Sequence, residues 1–174
     1  MNRRAPDEHA AAPAFSYCRG WGELTSADSD DIVAFWVREK ALPSEQLARQ
    51  RVSQVVMFAR DGDGEVAAVC TALPQNPPQL GQPVYFYRSF VAPDYRKTLL
   101  VYRLLKKAVR LLEEDARKHE WPCIGVLLEL ENQRFFEKGR MPVWPGIDFV
   151  YIGKSPRGLE CRVHWFRDAV LKGP

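Results

Sequence analysis

Residues 84–130 constrain the fold more than any other stretch of this chain. They hold VYFYRSFV (Val84–Val91), an amphipathic segment from Tyr95 to about His119, and IGVLLEL (Ile124–Leu130). Aromatic and branched residues make the first piece a strand. The middle piece carries Val101, Leu104, Leu105, Ala108, Leu111 and Leu112 at helical spacing, one apolar face of an α-helix. Arg103, Lys106, Lys107 and Arg110 form the opposite stripe, the ordinary composition of a solvated outer face. The third piece is a near-continuous apolar run, the pattern of a strand covered on both sides. Strand, helix and buried strand in that order make a βαβ crossover, so the two strands are expected to be parallel. In open α/β sheets, ligands bind beyond the carboxyl ends of such strands.

The flanking segments extend this unit. Asp28 or Ser29 is placed to cap a helix from about Asp31 to Lys40, with Ile32, Phe35 and Trp36 inward. Pro43 ends it, and Ser44 caps a second short helix carrying Leu47, Ala48 and Val52. Val55–Arg60 and Glu65–Leu73 read as strands joined by the hairpin turn Asp61-Gly62-Asp63-Gly64. Four prolines and a glycine make Pro74–Pro83 a loop. A short helical stretch near Gln133–Lys138 precedes two strands, Ile147–Ile152 and Glu160–Phe166. The expected fold class is α/β: a mixed central sheet with a parallel pair and helices on both faces. The 174 residues suit a single domain, residues 15–174, behind a flexible tail of residues 1–14.

Charge and cysteine content exclude several classes of function. A net charge of +3 is too small to argue for nucleic acid, and the basic residues are not interleaved with exposed aromatics. Cys18, Cys70, Cys123 and Cys161 are scattered without C-x-x-C spacing or a histidine pair, so no metal site is expected. Cys70 and Cys123 sit in apolar runs and read as small buried hydrophobes. No run approaches the ~20 apolar residues of a membrane helix, so no membrane partner is expected. With no export signal in the first residues, the expected location is the cytoplasm.

The segment Val91-Ala92-Pro93-Asp94-Tyr95-Arg96, the element order around it and the run Phe135-Phe136-Glu137-Lys138 together resemble the GNAT acyltransferase superfamily. The resemblance spans most of the chain from Asp31 to Phe166. It implies that acyl-CoA, acetyl-CoA first, is held by its pyrophosphate at the start of the long helix. The residues it assigns to the donor are Phe90, Val91, Arg96, Lys97, Thr98, Leu99, Leu100 and Val101, with Asn132 after the next strand. The physical basis is general: the first turn of a helix offers unpaired N–H donors and a positive dipole end. Two departures stand out. Leu99 and Val101 occupy positions where the family has glycines, so the segment is expected to close as an ordinary first helical turn. Phe136 stands where the family has a proton-donating tyrosine, and phenylalanine donates no proton.

Strand alternation puts Glu129 and Glu131 on one face, which makes them the candidate general bases; a salt bridge to an arginine is the competing reading. Tyr87, sharing a face with Tyr85, is the candidate phenol, with aromatic packing as its competing reading. His119 suits a helix C-terminus and His164 reads as structural. The implied activity is transfer of an acyl group from acyl-CoA to an amine on a small molecule or peptide. Two alternatives accompany it: an acyl-carrier-protein donor, which the basic helix stripe would suit, and a catalytically decayed GNAT-fold binding protein. A second copy of the chain, as a homodimer, is a further candidate partner.

Overall fold

The structure, a computed structural model, describes residues 14–131 and 141–173. The tail ahead of residue 14, Asn132, the expected short helix near Gln133–Lys138 and the Phe135–Lys138 run lie outside the described residues.

Eight strands form one mixed sheet. In chain order they are β1 (Ser16–Arg19), β2 (Val55–Arg60), β3 (Val66–Gln75), β4 (Val84–Val91), β5 (Gly125–Leu130), β6 (Val143–Trp144), β7 (Phe149–Lys154) and β8 (Glu160–Trp165). Helices α1 (Ser26–Arg38) and α2 (Glu45–Arg51) follow β1, and α3 (Leu100–Lys118) joins β4 to β5. The spatial order is β1-β2-β3-β4-β5-β8-β7-β6. As the crossover requires, β4 and β5 are parallel, with Tyr85, Phe86 and Tyr87 opposite Val126, Leu127 and Leu128. All other neighbours are antiparallel. Gly125 permits the close β5–β8 contact, since a Cβ there would stand 2.6 Å from the His164 carbonyl oxygen.

The two faces of β4 divide the core. Tyr85, Tyr87 and Val91 pack with Val126, Leu128 and the buried stripe Leu100, Leu104, Leu105, Ala108, Val109, Leu112 and Ala116 of α3. Val84 and Phe86 face the other way with Leu127, Cys161 and Val163. Phe90, also on that side, joins Ile32, Phe35 and Trp36 of α1 and Ala48 of α2. The sheet therefore has an α3 face and an α1–α2 face. Cys70 and Cys123 are fully buried, and burial pushes their thiols up to about 12 and about 11. No described helix is long and apolar enough to cross a membrane.

Two helix starts differ from expectation, each because of one threonine. Thr25, not Asp28 or Ser29, caps α1: its Oγ1 accepts the Asp28 N–H at 3.1 Å and donates to the Asp28 carboxylate at 2.6 Å. Thr25 thus serves as the N-cap and also holds the Asp28 carboxylate at the third helical position. In the crossover, Pro93–Tyr95 forms a 3₁₀ turn, and α3 begins only at Leu100. Thr98 separates the two pieces, donating to the Tyr95 carbonyl at 2.8 Å and accepting from the Leu100 N–H at 3.2 Å. The expected first helical turn at Tyr95 is thus a loop, and Leu99 is the residue that caps the helix.

That loop is fastened to the β2–β3 turn by the Tyr95 hydroxyl, which donates to Asp61 Oδ2 at 2.8 Å. Burial raises the Asp61 carboxyl, but Tyr95, the N–H groups of Glu65 and Asp63 and the Arg38 charge outweigh it, and the net shift is downward. At Asp28 the Thr25 hydroxyl is the largest influence, and the shift is again downward. Carboxyls lowered on folding stabilise the fold above their unfolded values, near pH 4, and lose that contribution as pH falls through the folded values. Acid titration of thermal stability should therefore show a fall below about pH 4 that is shallower in Asp61→Asn and in Tyr95→Phe. Equal acid sensitivity in all three proteins would contradict this anchoring.

Candidate functional site

β4 and β5 are paired only over Tyr85–Tyr87. Beyond that point β4 continues through Arg88–Val91 against β3 alone, and β5 continues through Glu129 and Leu130 against β8 alone. The two strands part at their carboxyl ends, and the crevice between them opens beside the loop that leads to α3. This is where an open α/β sheet binds ligands.

The loop forms the first wall. Arg96 donates from Nε to the Val91 carbonyl at 3.1 Å, and its guanidinium lies over the Phe90 ring, 5.4 Å from the centroid. Phe90 in turn meets Phe35 of α1 edge-on at 5.8 Å. Lys97 has no hydrogen-bond or ion-pair partner among the described residues. The N–H groups of Arg96, Thr98, Leu100 and Arg103 are satisfied within the segment. Those of Lys97, Leu99, Val101 and Tyr102 have no acceptor among the described residues. These four N–H groups and the Arg96 and Lys97 cations lie in one stretch of chain at the start of α3. No residue from Ala92 to Val101 has a positive φ, so the missing glycines cost no backbone strain. The Leu99 side chain is 63% exposed and so is not packed into the core. Val101 is half-buried at the edge of the α3 core, and Leu100 is buried within it.

The other wall carries the carboxylates. Glu129 and Glu131 come together as alternation requires, and Arg157 of the β7–β8 turn bridges them at 3.1 Å and 3.3 Å. The Glu129 side chain is 16% exposed and that of Glu131 is 70% exposed. Both the shared face and the salt bridge considered from sequence are therefore present.

Tyr87 lies on the opposite, α3 face of the sheet. It is buried, and its hydroxyl has no hydrogen-bond partner among the described residues. Burial first, and Cys70 beside it, push its phenol well above the ordinary value. Its neighbour on that face, Tyr85, packs against Trp21 and Phe166. Nδ1 of His164 lies 2.8 Å from the Ile147 carbonyl oxygen, and its ring packs among Phe149 and Phe166.

Three arginines not singled out in the sequence belong to this region: Arg157, Arg88 on the exposed end of β4, and Arg51 at the end of α2. Arg88 has one sequence signal, a lone charge in the aromatic run VYFYRSFV; Arg51 and Arg157 have none, because only folding brings them to the crevice. A separate cavity of about 410 Å³, lined by Trp21, Asp115 and His119, lies at the far end of α3. Among the described residues no cluster of His, Cys, Asp and Glu is arranged to hold a metal ion.

No protein-family model matches the chain, and no curated protein matches it in sequence. Solved structures do match. An acetyltransferase of the GNAT family from Streptococcus pneumoniae superposes with a TM-score of 0.53 at 13% identity, covering 89% of this chain and all (100%) of that one. The chain has the GNAT fold. A structure described as a putative phosphinothricin N-acetyltransferase aligns equally well, with a TM-score of 0.53 at 13% identity over 89% of this chain and 100% of that one. A structure described as a bacterial toxin gives 0.59 at 16% identity, covering 90% of this chain and 93% of that one.

Proposed function

We propose that the protein is an N-acyltransferase that moves an acyl group, acetyl first, from acyl-CoA to an amine. The observation that carries this reading is the set of unspent N–H groups at Lys97, Leu99, Val101 and Tyr102, open beside Arg96 and Lys97 at the mouth of the crevice. They suit a pyrophosphate. The pantetheine arm would then lie between β4 and β5, where β4 from Arg88 to Val91 has no partner strand on the β5 side. Phe90 and Val91 would line its path.

The chemistry required is modest. The amine nitrogen attacks the thioester carbonyl carbon, a C–N bond forms, the C–S bond breaks and CoA leaves as the thiolate. The nitrogen loses one proton, and Glu129, directly or through a water, is the group on this face placed to take it. Glu131, more exposed and held by the same arginine, is the outer member of the pair. The thiolate takes up a proton from solvent, or from Tyr87 if the arm reaches the α3 face. Positioning supplies much of the rate, so a proton-donating tyrosine at position 136 is not indispensable.

Calorimetric titration with acetyl-CoA tests the donor site. Saturable binding should weaken about tenfold in Arg96→Ala, which removes one cation and loosens the tie to Val91. Replacing both Leu99 and Val101 by glycine should tighten binding. The stability cost should be about 2 kcal/mol, since Leu99 is a solvent-exposed cap while Val101 lies within the helix and loses a half-buried side chain against the core. Unchanged or weaker binding in the glycine variant, with a lower melting temperature, would contradict the view that these side chains crowd the phosphates. If no CoA ester binds, the reading passes to an acyl-carrier-protein donor meeting the basic face of α3, or to a binding protein without catalysis.

A further inference from the structure

We propose that Arg51 and Arg88 form an anion-recognition pair for the acceptor, so that the amine this protein acylates also carries a carboxylate or a phosphate. The inference rests on the acyl-transfer reading for the word acceptor, and on independent geometry for the anion site.

Arg88 is the first residue of β4 beyond the parallel pairing with β5, so it stands where the crevice begins. It lies on the α1–α2 face, the face that also carries Glu129. Its guanidinium is laid against the Phe86 ring, 4.7 Å from the centroid, which holds the planar cation near the strand. Across the sheet Arg88 is opposite Thr71 of β3, and Thr71 is opposite Val55 at the start of β2. Val55 follows directly on the short turn Val52–Gln54 that descends from Arg51. One row thus runs from Arg88 through Thr71 to the chain bearing Arg51. Thr71 is 5% exposed, and its hydroxyl has no hydrogen bond among the described residues.

The two cations differ from Arg49, Arg60 and Arg157 in having no ion-pair partner among the described residues. Arg49 pairs with Glu45 and Asp30, Arg60 with Asp28 and Asp31, and Arg157 with Glu129 and Glu131. Arg51 and Arg88 make no ion pair or hydrogen bond with any described residue. Arg51 is half-buried; burial and then the charge of Arg88 lower its proton affinity, with Glu131 opposing them. A guanidinium keeps its proton regardless, so the unliganded protein carries the cost of partly desolvating Arg51 near a like charge. An anion between them relieves that cost. Planar forks with paired N–H donors match carboxylate and phosphate geometry, and the Thr71 hydroxyl adds a neutral donor. Seated there, the anionic end of an acceptor leaves its amine to enter the crevice toward Glu129.

The test has two arms on the full chain. In the first, the arginine Nε–Hε NMR signals of Arg51 and Arg88, assigned with Arg51→Gln and Arg88→Gln, are followed during titration with sodium phosphate and, separately, sodium acetate. Both signals should shift saturably, and affinity should fall roughly tenfold in either variant. Shifts that rise linearly and match those of Arg49, already paired, would overturn the site whatever the protein catalyses. In the second arm, acetyl-CoA is supplied with primary amines matched except for a carboxylate, a phosphate or no anion. Anionic amines should show kcat/KM at least roughly tenfold higher, and Arg88→Gln should bring them to parity with the neutral amine. The order of carboxylate and phosphate amines tells which anion the acceptor carries. Equal use of neutral and anionic amines by the parent protein would overturn the inference while leaving acyl transfer standing. Saturable anion binding with no amine acylated would overturn acyl transfer while leaving the anion site standing.

Discussion

Glu129→Gln should lower kcat for acetyl transfer by roughly 10²- to 10⁴-fold while leaving the dissociation constant of acetyl-CoA nearly unchanged. The substitution keeps the shape of the side chain and one oxygen for Arg157, but removes the proton acceptor on the inner wall of the crevice. Glu131→Gln should cost less than about tenfold, because its side chain is 70% exposed and stands farther out. The salt-bridge reading predicts something else. If the carboxylate only anchors the β7–β8 turn, then Glu129→Gln and Arg157→Gln should shift the melting temperature by similar small amounts and leave kcat alike. Steady-state kinetics on the three variants, with melting curves alongside, separates these outcomes. A kcat for Glu129→Gln within about twofold of the parent would remove Glu129 from the mechanism.

The largest stability effect is expected in the terminal hairpin. Arg162 is 2% exposed, donates from Nε to the Glu160 carboxylate and from Nη1 to the Met141 carbonyl at 2.9 Å, and lies 4.4 Å from the Trp144 ring centroid. Glu160→Ala removes a carboxylate bonded to this buried guanidinium, at a cost of about 3–5 kcal/mol. Replacing both residues, Glu160→Leu with Arg162→Met, should recover most of that loss, because desolvating the pair is itself costly. Urea denaturation of the single and double variants checks both statements. A single variant less than about 1 kcal/mol below the parent would show that the pair is solvated in solution.

The sequence reveals the crossover more plainly than the site. The stripe from Val101 to Leu112 and the run Ile124–Leu130 respond to one strong force, burial of apolar area. Their periods therefore name the elements, and the parallel β4–β5 pair follows. The start of α3 is less legible because a single hydroxyl decides it. Thr98 takes the Leu100 N–H that a continuous helix would have given to a backbone carbonyl. The same local choice leaves Leu99 as an exposed cap, so the effect of its missing glycine lies in the room left for a ligand and not in the backbone. The shared face of Glu129 and Glu131 follows from a period of two, yet their partner Arg157 is 26 residues from Glu131 and belongs to a different turn. Tyr87 shows the limit of such reasoning. Alternation correctly pairs it with Tyr85, but which face of the sheet meets α3 is settled only by the packing of the whole domain.

The donor cradle is the claim on which the functional reading stands, and backbone amide NMR addresses it directly. On titration with acetyl-CoA to saturation, the amide signals of Lys97, Leu99, Val101 and Tyr102 should move most, together with Arg88–Val91 along the open side of β4. The contradicting result is that those four amides stay in place while binding registers elsewhere, for example at Trp21 and His119 around the cavity at the far end of α3. In that case the start of α3 is not the donor site.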